Sequence, residues 1–108
     1  MKTHAVAEIL ALKTAAGSIP EEFSGVYAGD LLSRAMSHVT EGDLWITIMS
    51  NVNVIAVASL TEAAAVILAE GVTMDAEVLS AAEAKGVNVL MCDKTVYEIC
   101  RDIAASVS

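Results

Sequence analysis

Three short apolar runs, at residues 44–49, 64–69 and 87–91, are separated by segments of a different pattern. The first of them, Leu-Trp-Ile-Thr-Ile-Met, is rich in β-branched and aromatic residues and almost free of polar ones. This composition is typical of a strand that is buried on both faces, as strands are in a parallel sheet. Neighbouring parallel strands need a long crossover connection, which is usually helical. We therefore expect an α/β fold around a largely parallel sheet.

The segment between the first two runs is ambiguous, because residues 54–60 are apolar on all sides and periodicity cannot distinguish a buried helix from a buried strand there. The length of the connection resolves the ambiguity. If 44–48 and 64–69 are parallel strands, the 15 residues between them are enough for a helical crossover. We therefore predict a helix at 51–60 and a strand at 64–69.

The other predicted elements depend on apolar periodicity and on residues that begin and end helices. Asp30 and Asp75 are the expected N-caps of two helices, and Gly86 ends the second of these. Thr95 and Glu98 have the spacing of a capping box at the start of the last helix. The predicted helices are 3–11 (capped by Thr3), 32–39, 51–60, 75–85 and 96–107, and further short strands are expected at 12–15 and 26–28.

The charge of the chain excludes some classes of partner. Fourteen acidic and six basic residues give a net charge of -8, and the basic residues are scattered along the 108-residue sequence. A nucleic-acid-binding surface needs a basic patch, and an anionic membrane surface attracts basic residues. We therefore predict no nucleic-acid partner and no membrane partner. Because the sequence also shows neither a long apolar span nor a signal peptide, we expect a soluble, cytoplasmic protein with reduced cysteines.

Motifs for catalysis are absent from the sequence. It contains neither a G-x-x-x-x-G-K-[ST] phosphate loop nor a G-x-G-x-x-G dinucleotide motif. His4 and His38 are far apart in sequence, and each is expected to lie on the surface rather than to act as a base or metal ligand. Cys100 falls on the apolar face of the last helix and is expected in the core, whereas Cys92, near Lys94, has the alternative interpretation of a thiol with a lowered pKa. We predict no catalytic residue, no metal site and no cofactor.

A ligand site is nevertheless expected at one edge of the sheet. In open parallel sheets, ligands bind beyond the carboxyl ends of the strands. Polar residues follow each predicted strand there, including residues 70–73 and 92–95. The alternative is that each of them only caps its own helix. The candidate ligand-binding residues are Tyr27, Gly29, Asp30, Thr47, Asn51 and Asn53.

Two segments of the sequence, taken together, resemble the DRTGG domain family. The first is Tyr27-Ala28-Gly29-Asp30-Leu31-Leu32-Ser33, and the second is Glu41-Gly42-Asp43-Leu44-Trp45-Ile46-Thr47-Ile48. The similarity continues through residues 53–58, 86–90 and the last helix, and so covers nearly the whole chain. The Asp-Arg pair that helps to name the family would fall near Pro20 and Glu21, and only Gly25 of its glycine pair is present. The resemblance therefore does not extend to that motif.

The resemblance implies a three-layer α/β/α fold like the amino-terminal domain of HPr kinase/phosphorylase, with residues 1–108 forming a single regulatory domain. Family members occur beside cystathionine-β-synthase-type nucleotide-sensing domains, in phosphotransacetylases and as small separate proteins, and they are often dimeric. The kinase activity of HPr kinase belongs to a catalytic domain that is not part of this sequence.

Three functions follow as hypotheses. The leading one is a non-enzymatic regulatory domain that binds a small ligand, such as a nucleotide or phosphorylated molecule, or a protein partner, as a homodimer. The second is a small enzyme of phosphate or acyl metabolism, which would need a carboxylate or thiol with a perturbed pKa. The third is an assembly subunit, which would show an exposed apolar patch and no ligand at the sheet edge.

Overall fold

The computed structural model describes residues 1–107, which form five helices and a five-stranded sheet. The helices are α1 (His4–Leu10), α2 (Leu32–His38), α3 (Val52–Thr61), α4 (Ala76–Lys85) and α5 (Val96–Val107). The strands are β1 (Lys13–Ala16), β2 (Gly25–Ala28), β3 (Asp43–Thr47), β4 (Ala65–Leu68) and β5 (Val89–Met91). Every predicted helix and strand is present, with ends that differ by one to two residues in most cases.

The strands lie in the order β1-β5-β4-β3-β2. Strands β2 to β5 are parallel, and β1 pairs antiparallel with β5 at one edge. Trp45 pairs with Val66, and Val66 pairs with Val89, so the three apolar runs lie side by side and point in the same direction. This confirms the parallel arrangement on which the sequence interpretation depends.

Helices cover both faces of the sheet. Trp45 and Val66 point to the face covered by α2, α3 and α4, and both are completely buried. Their neighbours Leu44, Ile46 and Ile67 point to the opposite face, where they pack against α1 and α5. Strands that alternate between two covered faces need apolar residues at every position, which explains the continuous apolar runs. The fold is the expected three-layer α/β/α arrangement.

The helix ends follow the sequence expectations only in part. Thr95 and Glu98 form the predicted capping box, in which the Glu98 carboxylate accepts from Thr95 N at 2.9 Å and Thr95 Oγ1 accepts from Glu98 N at 3.2 Å. Asp30, however, is not the N-cap of α2, because that position belongs to Leu31, which makes no side-chain cap bond. Thr3 and Asp75 occupy the cap positions of α1 and α4, but neither side chain bonds to the first turn of its helix.

A helix that could cross a membrane would need about 20 apolar residues. No helix within residues 1–107 has this length and composition, and the longest, α5, has 12 residues.

Candidate ligand-binding site

Asp30 lies at the carboxyl edge of the sheet, where β2 and β3 end. Its Oδ1 accepts a hydrogen bond from Thr47 Oγ1 at 2.8 Å and a second from Ile48 N at 3.0 Å. Thr47 Oγ1 in turn accepts from Met49 N at 3.2 Å. Thr47 is completely buried, whereas Asp30 is exposed. The carboxylate that was expected to cap α2 therefore ties the turn after β2 to the end of β3.

Gly29 and Tyr27 belong to the same corner. Trp45 Nε1 donates to Gly29 O at 3.1 Å, and Gly29 N donates to Ile46 O at 3.1 Å. A Cβ atom at Gly29 would lie 3.0 Å from the Tyr27 ring, so a larger residue at this position would push the ring aside by a few tenths of an ångström. The Tyr27 ring also stacks on exposed His38, with 6.1 Å between ring centroids.

Asn51 and Asn53 lie at the start of α3 and are exposed. Asn51 is the N-cap, and its Oδ1 accepts from Asn53 N at 2.9 Å. The side-chain amide of Asn53 has no hydrogen-bond partner among residues 1–107. The six predicted residues thus form two groups at the carboxyl edge, four that are interlocked at the ends of β2 and β3 and two exposed asparagines at the start of α3.

A cleft of about 550 Å³ separates the starts of α3 and α4. We call it the α3–α4 cleft. It is lined by Ser50, Asn51, Val52, Asp75, Glu77 and Val78. Of these, only Asn51 belongs to the residues predicted from sequence. The others were missed because Asp75 has the pattern of a cap, and because the sequence does not show that α3 and α4 are neighbours.

The α3–α4 cleft combines three kinds of surface. The carboxylates of Asp75 and Glu77 offer hydrogen-bond acceptors, while Val52 and Val78 provide apolar walls. Since Asp75 does not cap α4, the first-turn amides of that helix have no side-chain acceptor from their own cap residue. No lysine or arginine lines the cleft. It can therefore accept hydroxyl donors, hold a flat apolar group and offer backbone donors.

Two other clefts are less suitable. The larger of the two, of about 700 Å³, lies between α1 and residues 19–21, which precede β2 and so lie away from the carboxyl edge. A smaller one, of about 180 Å³, lies between the loops that follow β4 and β5. These loops lead to opposite faces of the sheet, but Glu70 N donates to Lys94 O at 2.9 Å and Gly71 N donates to Cys92 O at 3.1 Å. The two backbone bonds hold the loops together and leave little room for a ligand.

The two cysteines differ in burial. Cys92 is buried, and its Sγ donates to Leu10 O at 3.3 Å, so it is a core residue rather than an accessible thiol. Cys100 is only partly buried, and this burial raises the pKa of its thiol. A raised pKa disfavours the nucleophilic thiolate. Within residues 1–107, no three His, Cys, Asp or Glu side chains are placed to hold a metal ion.

The fold and the sequence match known proteins at the level of a domain. The structure is similar to the CBS and DRTGG domains of the regulatory region of a Clostridium perfringens pyrophosphatase, crystallised with its activator diadenosine tetraphosphate. The TM-score is 0.74 at 15% sequence identity, over 94% of this chain and 45% of that chain, so this chain corresponds to less than half of the regulatory region. No curated protein matches the sequence. The family model of the DRTGG domain matches residues 7–106. The chain belongs to the DRTGG domain family.

Proposed function

We propose that the chain is a non-catalytic regulatory domain that binds a nucleotide in the α3–α4 cleft. The observation that carries the proposal is the cleft itself, which lies beyond the carboxyl ends of β3 and β4, the edge of the sheet at which α/β folds bind their ligands. It lies between two helices on the same face of the sheet, and not between β4 and β5, where the connections part to opposite faces. Its volume of about 550 Å³ falls within the usual range of small-molecule sites. The regulatory region of the similar pyrophosphatase contains a dinucleotide activator, which supports a ligand of this class.

The chemistry of the cleft suits the nucleoside part of such a ligand. A base fits between Val52 and Val78, and the Asn51 amide lies at the same wall to form hydrogen bonds with its edge. The carboxylates of Asp75 and Glu77 accept from ribose hydroxyls, as acidic residues do in dinucleotide-binding folds. Phosphate groups have no basic residue to meet inside the cleft and therefore face outward into solvent, away from the carboxylates of Asp75 and Glu77 at the start of α4.

The residues predicted from sequence take different parts in this proposal. Asn51 contacts the ligand, and Asn53 lies beside it at the start of α3. Asp30, Thr47, Gly29 and Tyr27 act indirectly, because their mutual bonds fix the edge from which residues 48–51 continue to the cleft. The proposed domain works as a homodimer, as other members of the family are expected to do.

Thermal unfolding with a panel of nucleosides, nucleotides and dinucleotides tests the ligand. A ligand at 100 times its dissociation constant stabilises a protein by about 2.7 kcal/mol. For a domain of this size, the midpoint would rise by roughly 10 °C or more. The shift should disappear in Asp75→Ala and persist in the control Glu62→Ala, which lies at the far end of α3. A panel without any shift, or a shift that Asp75→Ala retains, would contradict the proposal.

A further inference from the structure

The two edges of the sheet differ in how well they are protected against pairing with another chain. The β1 edge carries Lys13, and its pairing with β5 is irregular between Thr14 and Ala16. Charged residues and bulges of this kind keep a sheet edge from pairing with another chain. The β2 edge has neither device, since residues 25–29 read Gly-Val-Tyr-Ala-Gly and pair with β3 in unbroken register. In a chain with a net charge of -8, this uncharged open edge needs an explanation.

The backbone of β2 has hydrogen-bonding groups directed away from the sheet. Gly29 N donates to Ile46 O, so the main chain of residue 29 faces β3. Because successive residues of a strand direct their main-chain groups to alternate sides, residue 27 also faces β3, and Val26 and Ala28 face outward. β2 is the last strand in the sheet order, so within residues 1–107 no strand pairs with this side of residues 25–28. Directly before β2, residues 1–3 pair antiparallel with residues 21–23, so the open part of the edge begins after Phe23.

The sequence of β2 is complementary to itself. If two copies pair antiparallel about a twofold axis at Tyr27, Val26 lies opposite Ala28 of the partner subunit, and Gly25 lies opposite Gly29 of the partner subunit. Each Val26–Ala28 pair then exchanges two backbone hydrogen bonds. The facing side chains are small and apolar, and Val26 is 39% exposed in the single chain. No like charges face each other along residues 25–29.

We propose that two copies of the chain associate through antiparallel pairing of their β2 edges in this register, which joins the two five-stranded sheets into one. The pairing is isologous, as expected for a twofold dimer. An extended peptide from another protein can also add to a sheet edge. The self-complementary sequence and the lack of charge favour a second copy, since two chains of net charge -8 approach most easily where neither carries charge. This inference rests on the homodimer in the proposed function and assigns its surface.

Disulfide trapping tests the register. In the proposed pairing the two Tyr27 residues form a non-hydrogen-bonded pair, with Cα atoms about 4.5 Å apart, a distance that a disulfide can bridge. The variant Tyr27→Cys in a Cys100→Ser background should become a covalent dimer on mild oxidation. Cys92 is buried and does not interfere. The matched control is Thr14→Cys on β1, at the other edge of the sheet, which should stay monomeric under denaturing electrophoresis.

Sedimentation of the unmodified chain and of Val26→Lys tests two claims separately, namely that the chain forms a dimer and that the dimer uses the β2 edge. The unmodified chain should be a dimer, and Val26→Lys should raise the dimer dissociation constant at least tenfold with an unchanged circular dichroism spectrum. A dimer that neither cross-links at position 27 nor weakens in Val26→Lys would overturn the β2 surface alone. A monomeric native chain would overturn the homodimer as well, whereas the ligand-induced thermal shift reports on the α3–α4 cleft independently.

Discussion

Asp30 and Thr47 are 17 residues apart in sequence, and their side chains are joined by a 2.8 Å hydrogen bond between Oδ1 and Oγ1. The bond connects the two segments that carry the resemblance to the DRTGG family. Trp45 and Gly29 connect the same two segments a second time. The motif residues at this corner therefore bond mainly to each other, and the fold requires them whether or not a ligand binds nearby.

The Asp30–Thr47 bond should be measurable in a double-mutant cycle. Asp30→Ala leaves the buried Thr47 hydroxyl without this acceptor, and we expect a loss of about 1–3 kcal/mol in the free energy of unfolding. Thr47→Val should cost a similar amount, and the double variant should cost less than the sum of the two. Urea unfolding measures all three. The control is Asp93→Ala, which removes an exposed aspartate at the same edge whose side chain has no partner. If the losses in Asp30→Ala and Thr47→Val were strictly additive in the double variant, a direct interaction between the two side chains would be contradicted.

Gly17 should be far less tolerant of substitution than Gly86, although the two have almost the same backbone conformation. Their φ angles are +69° and +70°, so a Cβ atom is strained by about 1–2 kcal/mol at either position. At Gly17 the added atom would also collide with Asn88, whose Oδ1 accepts from Ser18 N, while at Gly86 it meets nothing within 4 Å. We expect Gly17→Ala to lose about 1–3 kcal/mol more than Gly86→Ala in thermal unfolding. Equal losses would refute the collision with Asn88.

Glu98 should contribute to the stability of the domain only above acidic pH. Hydrogen bonds from the backbone and side chain of Thr95 lower the pKa of this exposed carboxyl below its ordinary value of 4.5. A group whose pKa is lower in the folded state stabilises the fold above its unfolded pKa and loses that contribution as the pH falls through the folded pKa. Glu98→Gln should therefore reduce the loss of stability between about pH 5 and pH 3. We would measure unfolding midpoints across this pH range for the native chain, for Glu98→Gln and for the exposed control Glu77→Gln. Identical pH profiles for the native chain and Glu98→Gln would contradict a contribution of the capping box.

The two cysteines should differ in reactivity. Cys92 is buried and bonded to Leu10 O, whereas Cys100 is partly exposed with a raised pKa. In the native protein, iodoacetamide should modify Cys100 slowly, faster as the pH rises, and should leave Cys92 unmodified until the protein unfolds. Mass spectrometry of the native and urea-unfolded protein identifies the modified residue. Modification of native Cys92 at the rate of Cys100 would show that the contact between α1 and β5 opens readily.

The fold could be predicted because the sequence features that indicate it are local apolar patterns and the length of the connection between two strands. The apolar runs became strands with two covered faces, and the ambiguous segment 54–60 became helical because two parallel strands had to be connected. Asp30 shows the limit of such reasoning. A carboxylate just before a helix is a good cap, but here it bonds to Thr47, which is distant in sequence. A local sequence pattern cannot show that this tertiary hydrogen bond forms instead of the cap.

The candidate site was harder to predict for the same reason. The α3–α4 cleft exists because two helix starts from separate crossovers lie side by side, and five of its six lining residues are not among the candidate ligand-binding residues predicted from the sequence. Cys100 packs against the core, as the periodicity of α5 predicts, but it is only partly buried. The sequence also does not show how closely α1 covers Cys92 at the end of β5.

Trp45 provides a built-in reporter for this molecule. It is the single tryptophan of the chain, it is completely buried, and its indole N–H is bonded to Gly29 O at the corner between β2 and β3. A change in that corner alters the polarity around one indole ring and therefore the wavelength of its fluorescence emission. Titrations with candidate ligands and the proposed subunit association can thus be followed without a label, at an excitation wavelength that Tyr27 and Tyr97 do not absorb.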